Sequence, residues 1–189
     1  MQVLIVYESI FGNTHLVAGA VERGIRDAAA EAVVNCVPVS RATADLVAAA
    51  DLLVVGGPTH ARGMTIARSR RDAVQGATKE PPTSSAAGDA QEHPLDQDAE
   101  GPGLREWFHA LPKAGNGRRA AAFDTRLAYW LAGGAAKGIG HRLHKHGYTL
   151  AAEPEGFVVE GAEGPLRAGE LNRAHDWAAA LLRAEVPAG

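Results

Sequence analysis

The sequence predicts an α/β protein: an open, doubly wound sheet of five parallel strands with helices on both faces. Three observations carry this expectation. Short apolar runs alternate with stretches of helical periodicity along most of the chain, the rhythm of repeated strand–helix–strand units. The runs at residues 2–7 and 51–56 are apolar almost throughout instead of alternating, as strands buried on both faces must be. The hydrophobic fraction is 46% but leans on alanine, with only 5% aromatic residues, a composition that suits helices lying close against a sheet.

The first strand is residues 2–7, and a small-residue turn follows at Glu8, Ser9, Ile10, Phe11, Gly12, Asn13 and Thr14. The first helix is expected over about 13–31, with Leu16, Val17, Ala20, Val21, Ile25 and Ala28 at helical spacing. The second strand is residues 33–39. Pro38 near its end has no N–H to donate, which places that strand at an edge. A short helix follows at 43–50, capped by Thr43, with Asp45 placed favourably near its start. The third strand is residues 51–56 and leads into a loop of Gly57, Pro58, Thr59 and His60.

The alternation then breaks. Residues 62–71 hold Arg62, Arg68, Arg70 and Arg71, and residues 76–103 carry six acids against one lysine, with no aromatic residue. Such a stretch buries too little apolar surface to offset its ordering entropy. A mobile insertion at about 62–103, within a single domain spanning 1–189, is therefore expected. Packing resumes where Leu104, Trp107, Phe108 and Leu111 share a helical face. The fourth strand is 120–123, followed by a third loop of Asp124, Thr125 and Arg126; a Gly133–Gly134 turn leads to a helix over 135–146. The fifth strand is split between 148–150 and 157–159. The last helix, 169–184, turns Leu171, Ala174, Ala178, Leu181 and Leu182 inward.

Charge and targeting narrow the function classes. A net charge of −3 gives no general attraction to nucleic acid. No run approaches 18 apolar residues, so no membrane span is expected. The start lacks a basic n-region, which predicts no signal peptide, and the single Cys36 fits a reducing cytoplasm. Cys36 lies mid-strand and reads as a buried thiol. His141, His144 and His146 sit beside Lys137, Arg142 and Lys145 with no carboxylate or cysteine, and read as a solvated basic face, so no metal site is expected.

In open parallel sheets ligands bind beyond the carboxyl ends of the strands, which brings the loops after strands one, three and four to one rim. The loop at residues 9–14 ends in a helix N-terminus, where unpaired amides and the helix dipole attract an anion. It has no G-x-x-x-x-G-K-S/T and no G-x-G-x-x-G, and it has no lysine. A cradle of amides and hydroxyls suits a tightly held phosphate monoester.

The residues at that point carry a resemblance. S-I-F-G-N-T (Ser9, Ile10, Phe11, Gly12, Asn13, Thr14) resembles the FMN phosphate loop of the flavodoxin family, usually written S/T-x-T-G-N-T, with Phe11 where a hydroxyl residue is usual. G-G-P-T-H at 56–60 resembles the family's loop beside the isoalloxazine ring. The split fifth strand and the helix carrying Trp177 are also similar, so the resemblance covers residues 1–60 and 118–184. It implies strand order 2-1-3-4-5 and FMN as cofactor. It further implies phosphate contacts from Ser9, Asn13 and Thr14 side chains and from the amides of residues 10–13. Pro58, Thr59 and His60 would line one side of the ring, and Phe123, Asp124 and Thr125 its pyrimidine edge. The pattern F-D-T-R, with G-P-L and G-E-L further on, resembles a group of single-domain flavodoxin-like proteins common in actinobacteria.

The resemblance implies an FMN-binding electron carrier serving a redox partner protein or a small-molecule acceptor. A small FMN-dependent NAD(P)H:quinone-type reductase and a binding module without flavin stay open beside it. A phospho-acceptor regulator is disfavoured because Glu8 stands nearly alone and strand three ends in Gly-Gly-Pro. Tyr129 or Trp130 would be the residues to cover the ring. The arginines of 62–71 would face an acidic partner, a nicotinamide phosphate or simply solvent.

Overall fold

The computed structural model describes residues 1–60, 63–79, 95–115, 117–128 and 134–183. Strand β1 (Gln2–Tyr7) leads to helix α1 (Asn13–Ala28), β2 (Val33–Pro38), α2 (Ala44–Ala49) and β3 (Leu52–His60). Next come β4 (Gly63–Met64), α3 (Ala67–Lys79), α4 (Leu104–Ala110) and β5 (Arg119–Leu127). The chain continues through α5 (Ala135–Lys145), β6 (Thr149–Leu150), β7 (Glu155–Val159) and α6 (Glu170–Arg183).

The central sheet runs β2-β1-β3-β5-β6, all parallel, and β7 also pairs with β5 in parallel. β6 and β7 together occupy the fifth position, so the expected order 2-1-3-4-5 with a split last strand is present. β2 is the edge strand, as Pro38 requires. The two-residue β4 is an addition: it pairs antiparallel with the end of β3, Thr59 against Met64.

Side-chain alternation on the inner strands makes two cores. Val3, Ile5 and Tyr7 of β1 and Leu52 and Val54 of β3 face α1 and α6; Leu4, Val6, Leu53 and Val55 face α2, α4 and α5. Both faces are covered, so the strands read as continuous apolar runs and not as alternating ones. α1 and α6 lie so close that a Cβ on Gly24 would collide with the carbonyl of His175. Phe123, Phe157 and Trp177 fill the same side with edge-on contacts, their centroids 6.0 to 6.2 Å apart.

Several expectations need correction. Pro58, Thr59 and His60 do not form a loop. β3 runs on to His60, because Gly57 pairs with Asp124 and Pro58 with Thr125. The β1 pairing has stopped by then, at Gly56, so Pro58 leaves no donor missing on that side. Asp124, Thr125 and Arg126 are likewise strand, since β5 continues to Leu127 beside β7. Helix α1 ends at Ala28, and Leu16 is exposed on its outer face.

The stretch at 62–103, expected to be mobile, contributes to the fold at both its ends. α3 forms there, and Val74 and Ala99 pack on the buried side chain of Ile10. The Asp96 amide donates to the Ile10 carbonyl at 2.7 Å, and Ser40 donates to Asp98. Residues 80–94 lie outside the described residues. Beside that packing, the ends are held by backbone and carboxylate bonding to the first loop and to Ser40, which a count of apolar residues does not register.

Buried Glu8 binds this region to the sheet. It accepts hydrogen bonds from the Leu104 amide at 2.8 Å and from the Thr65 hydroxyl. Cys36 is half-buried, and burial pushes its thiol up to about 12. Among the described residues no helix is long and apolar enough to cross a membrane, and no group of His, Cys, Asp and Glu could hold a metal ion.

Candidate functional site

A cleft of about 220 Å³ lies beyond the carboxyl ends of β1, β3 and β5. Ser9, Ile10, Phe11, Asn13 and Thr14 line one end of it. Pro58, Thr59, His60, Thr125, Arg126 and Leu127 line the strand-end side, and Val159 and Ala162 complete it.

The first end is a helix N-terminus left open. Gly12 occupies the cap position of α1 in the left-handed region, φ 79°, and has no side chain with which to cap the first turn. The φ value explains the glycine: an L side chain there would strain the backbone. Ser9 is buried, and its hydroxyl oxygen reaches the His15 amide only at 3.4 Å. Thr14 and Thr125 are also buried, and their hydroxyls bond each other at 2.8 Å across the gap between α1 and β5. Hydroxyls, first-turn amides and the positive end of the α1 dipole therefore converge, and the cleft lining among the described residues holds no lysine or carboxylate; Asp96 reaches the same turn but is paired with His15. That donor set fits a phosphate monoester.

Asn13 is oriented differently from the other polar residues. Its side-chain amide donates to the Glu163 carbonyl at 2.7 Å, tying the loop to the segment after β7. Phe11 borders the cleft and also packs beside Ile10, Val74 and Ala99. The position that lacks a hydroxyl thus joins the first loop to α3.

The strand-end side is flat because it is made of paired backbone. Thr59 lines it and also organises the neighbouring helix. Its hydroxyl accepts from the Ala135 amide at 2.8 Å and donates to Asp124 Oδ2 at 3.0 Å. Asp124 Oδ2 in turn accepts from the Ala136 amide at 2.8 Å. The cap residue of α5 is Gly134, without a side-chain cap, so a threonine of β3 and an aspartate of β5 satisfy its first amides. Asp124 is fully buried, its Oδ1 has no hydrogen-bond partner among the described residues, and burial pushes its carboxyl up against the pull of those bonds and of Arg126. Burial pushes the His60 imidazole down, which favours its neutral form.

The structure gathers most of the sequence-predicted residues. Ser9, Ile10, Phe11, Asn13, Thr14, Pro58, Thr59, His60 and Thr125 all border the cleft, and Gly12 sets the turn. Phe123 and Asp124 do not border it: the Phe123 ring is in the core under Gly56, and the Asp124 carboxylate caps α5. Tyr129 and Trp130 lie outside the described residues. Leu127, Val159 and Ala162 were not singled out by sequence. Their only signal is that each sits at or just past the end of a strand reaching the same rim.

No family model matches the sequence, and no curated protein matches it. Solved structures do. A flavodoxin from the domain Archaea superposes with a TM-score of 0.61 at 16% identity, covering 97% of each chain. Flavodoxin 2 from Bacillus cereus gives 0.59 at 19% identity, over 97% of this chain and 99% of its own. The two-electron reduced flavodoxin of Megasphaera elsdenii gives 0.56 at 21%, over 94% and 98%. At these identities the likeness is one of architecture: the chain has the flavodoxin-like α/β fold.

Proposed function

We propose, from the flavodoxin-like fold and the geometry of the cleft, that this chain binds FMN and acts as a flavodoxin-like electron carrier. The observation that carries the reading is the division of one cleft into two chemistries. One end offers the N-terminus of α1, with glycine at its cap position, together with the Ser9 and Thr14 hydroxyls, and the other is a flat wall of strand ends at residues 58–60 and 125–127. A flat ring system carrying a phosphate monoester on a flexible arm is the ligand shape this division suits. Ser9, Thr14 and the amides of residues 10–13 would hold the phosphate, and Asn13 would keep the loop closed through Glu163. Pro58, Thr59, His60 and Thr125 would border the ring; Phe123 and Asp124 would serve it through backbone. FMN supplies reversible acceptance of electrons, while the protein fixes its position and environment.

The electron donor or acceptor would be a redox partner protein or a small molecule, in a cytoplasmic setting consistent with the single Cys36. A small NAD(P)H:quinone-type reductase is the second reading. It is favoured by one observation: among the described residues the cleft lining contains Arg126 and His60 but no carboxylate.

Titration with FMN, followed by quenching of flavin fluorescence, tests the proposal. Binding at micromolar concentration or tighter is expected, with the flavin absorption bands retained after gel filtration. No binding at that concentration refutes it. The double substitution Asn13→Leu with Thr14→Ala removes the Glu163 tie and the Thr125 partner, and is expected to weaken FMN by about tenfold or more, the worth of one to two hydrogen bonds to a charged group. Unchanged affinity would mean that the phosphate sits elsewhere.

A further inference from the structure

Among the described residues the cleft lining includes one arginine. Arg126 lies on the strand-end side of the lining, three places after Phe123 on β5. Its side chain is 34% exposed, and its Nε approaches Asp124 Oδ1 at 3.7 Å, beyond hydrogen-bond range. No other ionic or hydrogen-bonding contact to it exists among the described residues. The space it occupies is made by two glycines. A Cβ on Gly156 would collide with the guanidinium group, and one on Gly134 would lie 2.8 Å from its Nη1. The side chain is therefore received by β7 and by the start of α5, not left to solvent.

Among the described residues the carboxylate that approaches it is Asp124, which stops at 3.7 Å and whose other oxygen is bonded to Thr59 and the Ala136 amide. Burial favours the neutral form of His60, so Arg126 is the permanent cation of the lining among the described residues.

We propose, resting on the FMN reading above, that Arg126 is the charge partner of the reduced ring: it stabilises the anionic two-electron form over the neutral oxidised one. Two electrons from a reductant such as dithionite and one proton from solvent leave the ring with one negative charge. A fixed guanidinium beside that charge gains a Coulomb interaction that the uncharged oxidised ring cannot offer. Only such differential binding moves a potential; equal binding of both forms moves nothing. The consequence is a potential raised toward two-electron transfer, which favours exchange with a two-electron donor or acceptor such as a nicotinamide or a quinone.

The test compares FMN-loaded wild type with Arg126→Gln, Arg126→Lys and Gly156→Ala, measuring the two-electron midpoint potential by dye equilibration and the affinity for oxidised FMN by fluorescence. For Arg126→Gln, oxidised FMN is expected to bind within about twofold of wild type. Reduced FMN is expected to bind about tenfold more weakly, a potential lower by about 30 mV for a two-electron couple. Arg126→Lys keeps the charge and is expected to restore most of the shift. Gly156→Ala keeps the arginine but displaces its head, and is expected to lower the potential part of the way. An unchanged potential in Arg126→Gln, or equal loss of oxidised and reduced affinity, overturns the proposal while leaving FMN binding intact. Failure of the wild type to bind FMN instead overturns the reading on which it rests.

Discussion

Replacing Thr59 by Val tests how the cleft is held. The two side chains have nearly the same shape, so the change isolates the hydroxyl. That hydroxyl makes two bonds, accepting from the Ala135 amide at 2.8 Å and donating to Asp124 Oδ2 at 3.0 Å. In Thr59→Val the Ala135 amide loses its acceptor, and Gly134 has no side chain to replace it. The buried Asp124, whose Oδ1 has no hydrogen-bond partner among the described residues, keeps the Ala136 amide. Leaving a part-buried amide unsatisfied costs about 1–3 kcal/mol, and a hydrogen bond to a carboxylate contributes about 1.5–3 kcal/mol when that group is ionised. Because the Thr59 site is half-buried, the lower ends of these ranges apply, giving about 2.5 kcal/mol. Urea denaturation followed by far-ultraviolet circular dichroism reads this directly. With a slope of about 2 kcal/mol/M, the midpoint should fall by about 1–1.5 M with the slope unchanged. The measurement is made without FMN, so that ligand linkage does not enter. Thr59→Ser keeps the hydroxyl and should recover most of the loss. A Thr59→Val midpoint within about 0.25 M of wild type, the equivalent of about 0.5 kcal/mol, would refute the idea that α5 is capped from the sheet.

Two further predictions follow from buried groups. Gly56→Ala drives a Cβ into the ring of fully buried Phe123, so it should cost about 2–3 kcal/mol by overpacking, and Phe123→Leu in the same chain should relieve part of that. A neutral Gly56→Ala midpoint would show that the ring has room to move. For pH, burial holds the Glu8 carboxyl above its ordinary value despite its bonds to Thr65 and Leu104. Between the unfolded and the folded pKa the native state keeps a proton that the unfolded chain has lost, so this group's contribution falls as pH rises through that window and is level above it. Wild type should therefore lose stability relative to Glu8→Gln between about pH 4.5 and the folded pKa, read from urea midpoints at successive pH values. A difference that stays flat or changes in the opposite direction would contradict the buried, proton-retaining Glu8.

How much of this was legible without the structure depends on how local each feature is. The strands, the edge position of Pro38, the Thr43 cap and the split last strand follow from apolar periodicity and from residues acting on their neighbours. The first loop was equally readable: Gly12 turns the chain through a positive φ, and the hydroxyls beside it belong to the same short segment. The strand character of residues 57–60 and 124–127 was hidden because Gly-Gly-Pro-Thr reads as a turn until β5 is set beside it. Ile10 shows the same limit, since nothing near it in sequence announces Val74 and Ala99 as its neighbours.

By itself, the sequence determined the layered α/β architecture, the first loop as a glycine turn into a helix N-terminus and the strand ends as the rim of a cleft. Each of these arises from backbone periodicity and side-chain chemistry over a few residues. The tertiary structure alone decided which polar groups meet. It paired Thr14 with Thr125, turned Asp124 away from the cleft to cap α5 with Thr59, and set Arg126 into the space left by Gly156 and Gly134. Those partners lie on different strands and helices, and their contact depends on the register of β3, β5 and β7, which no single segment of the chain encodes.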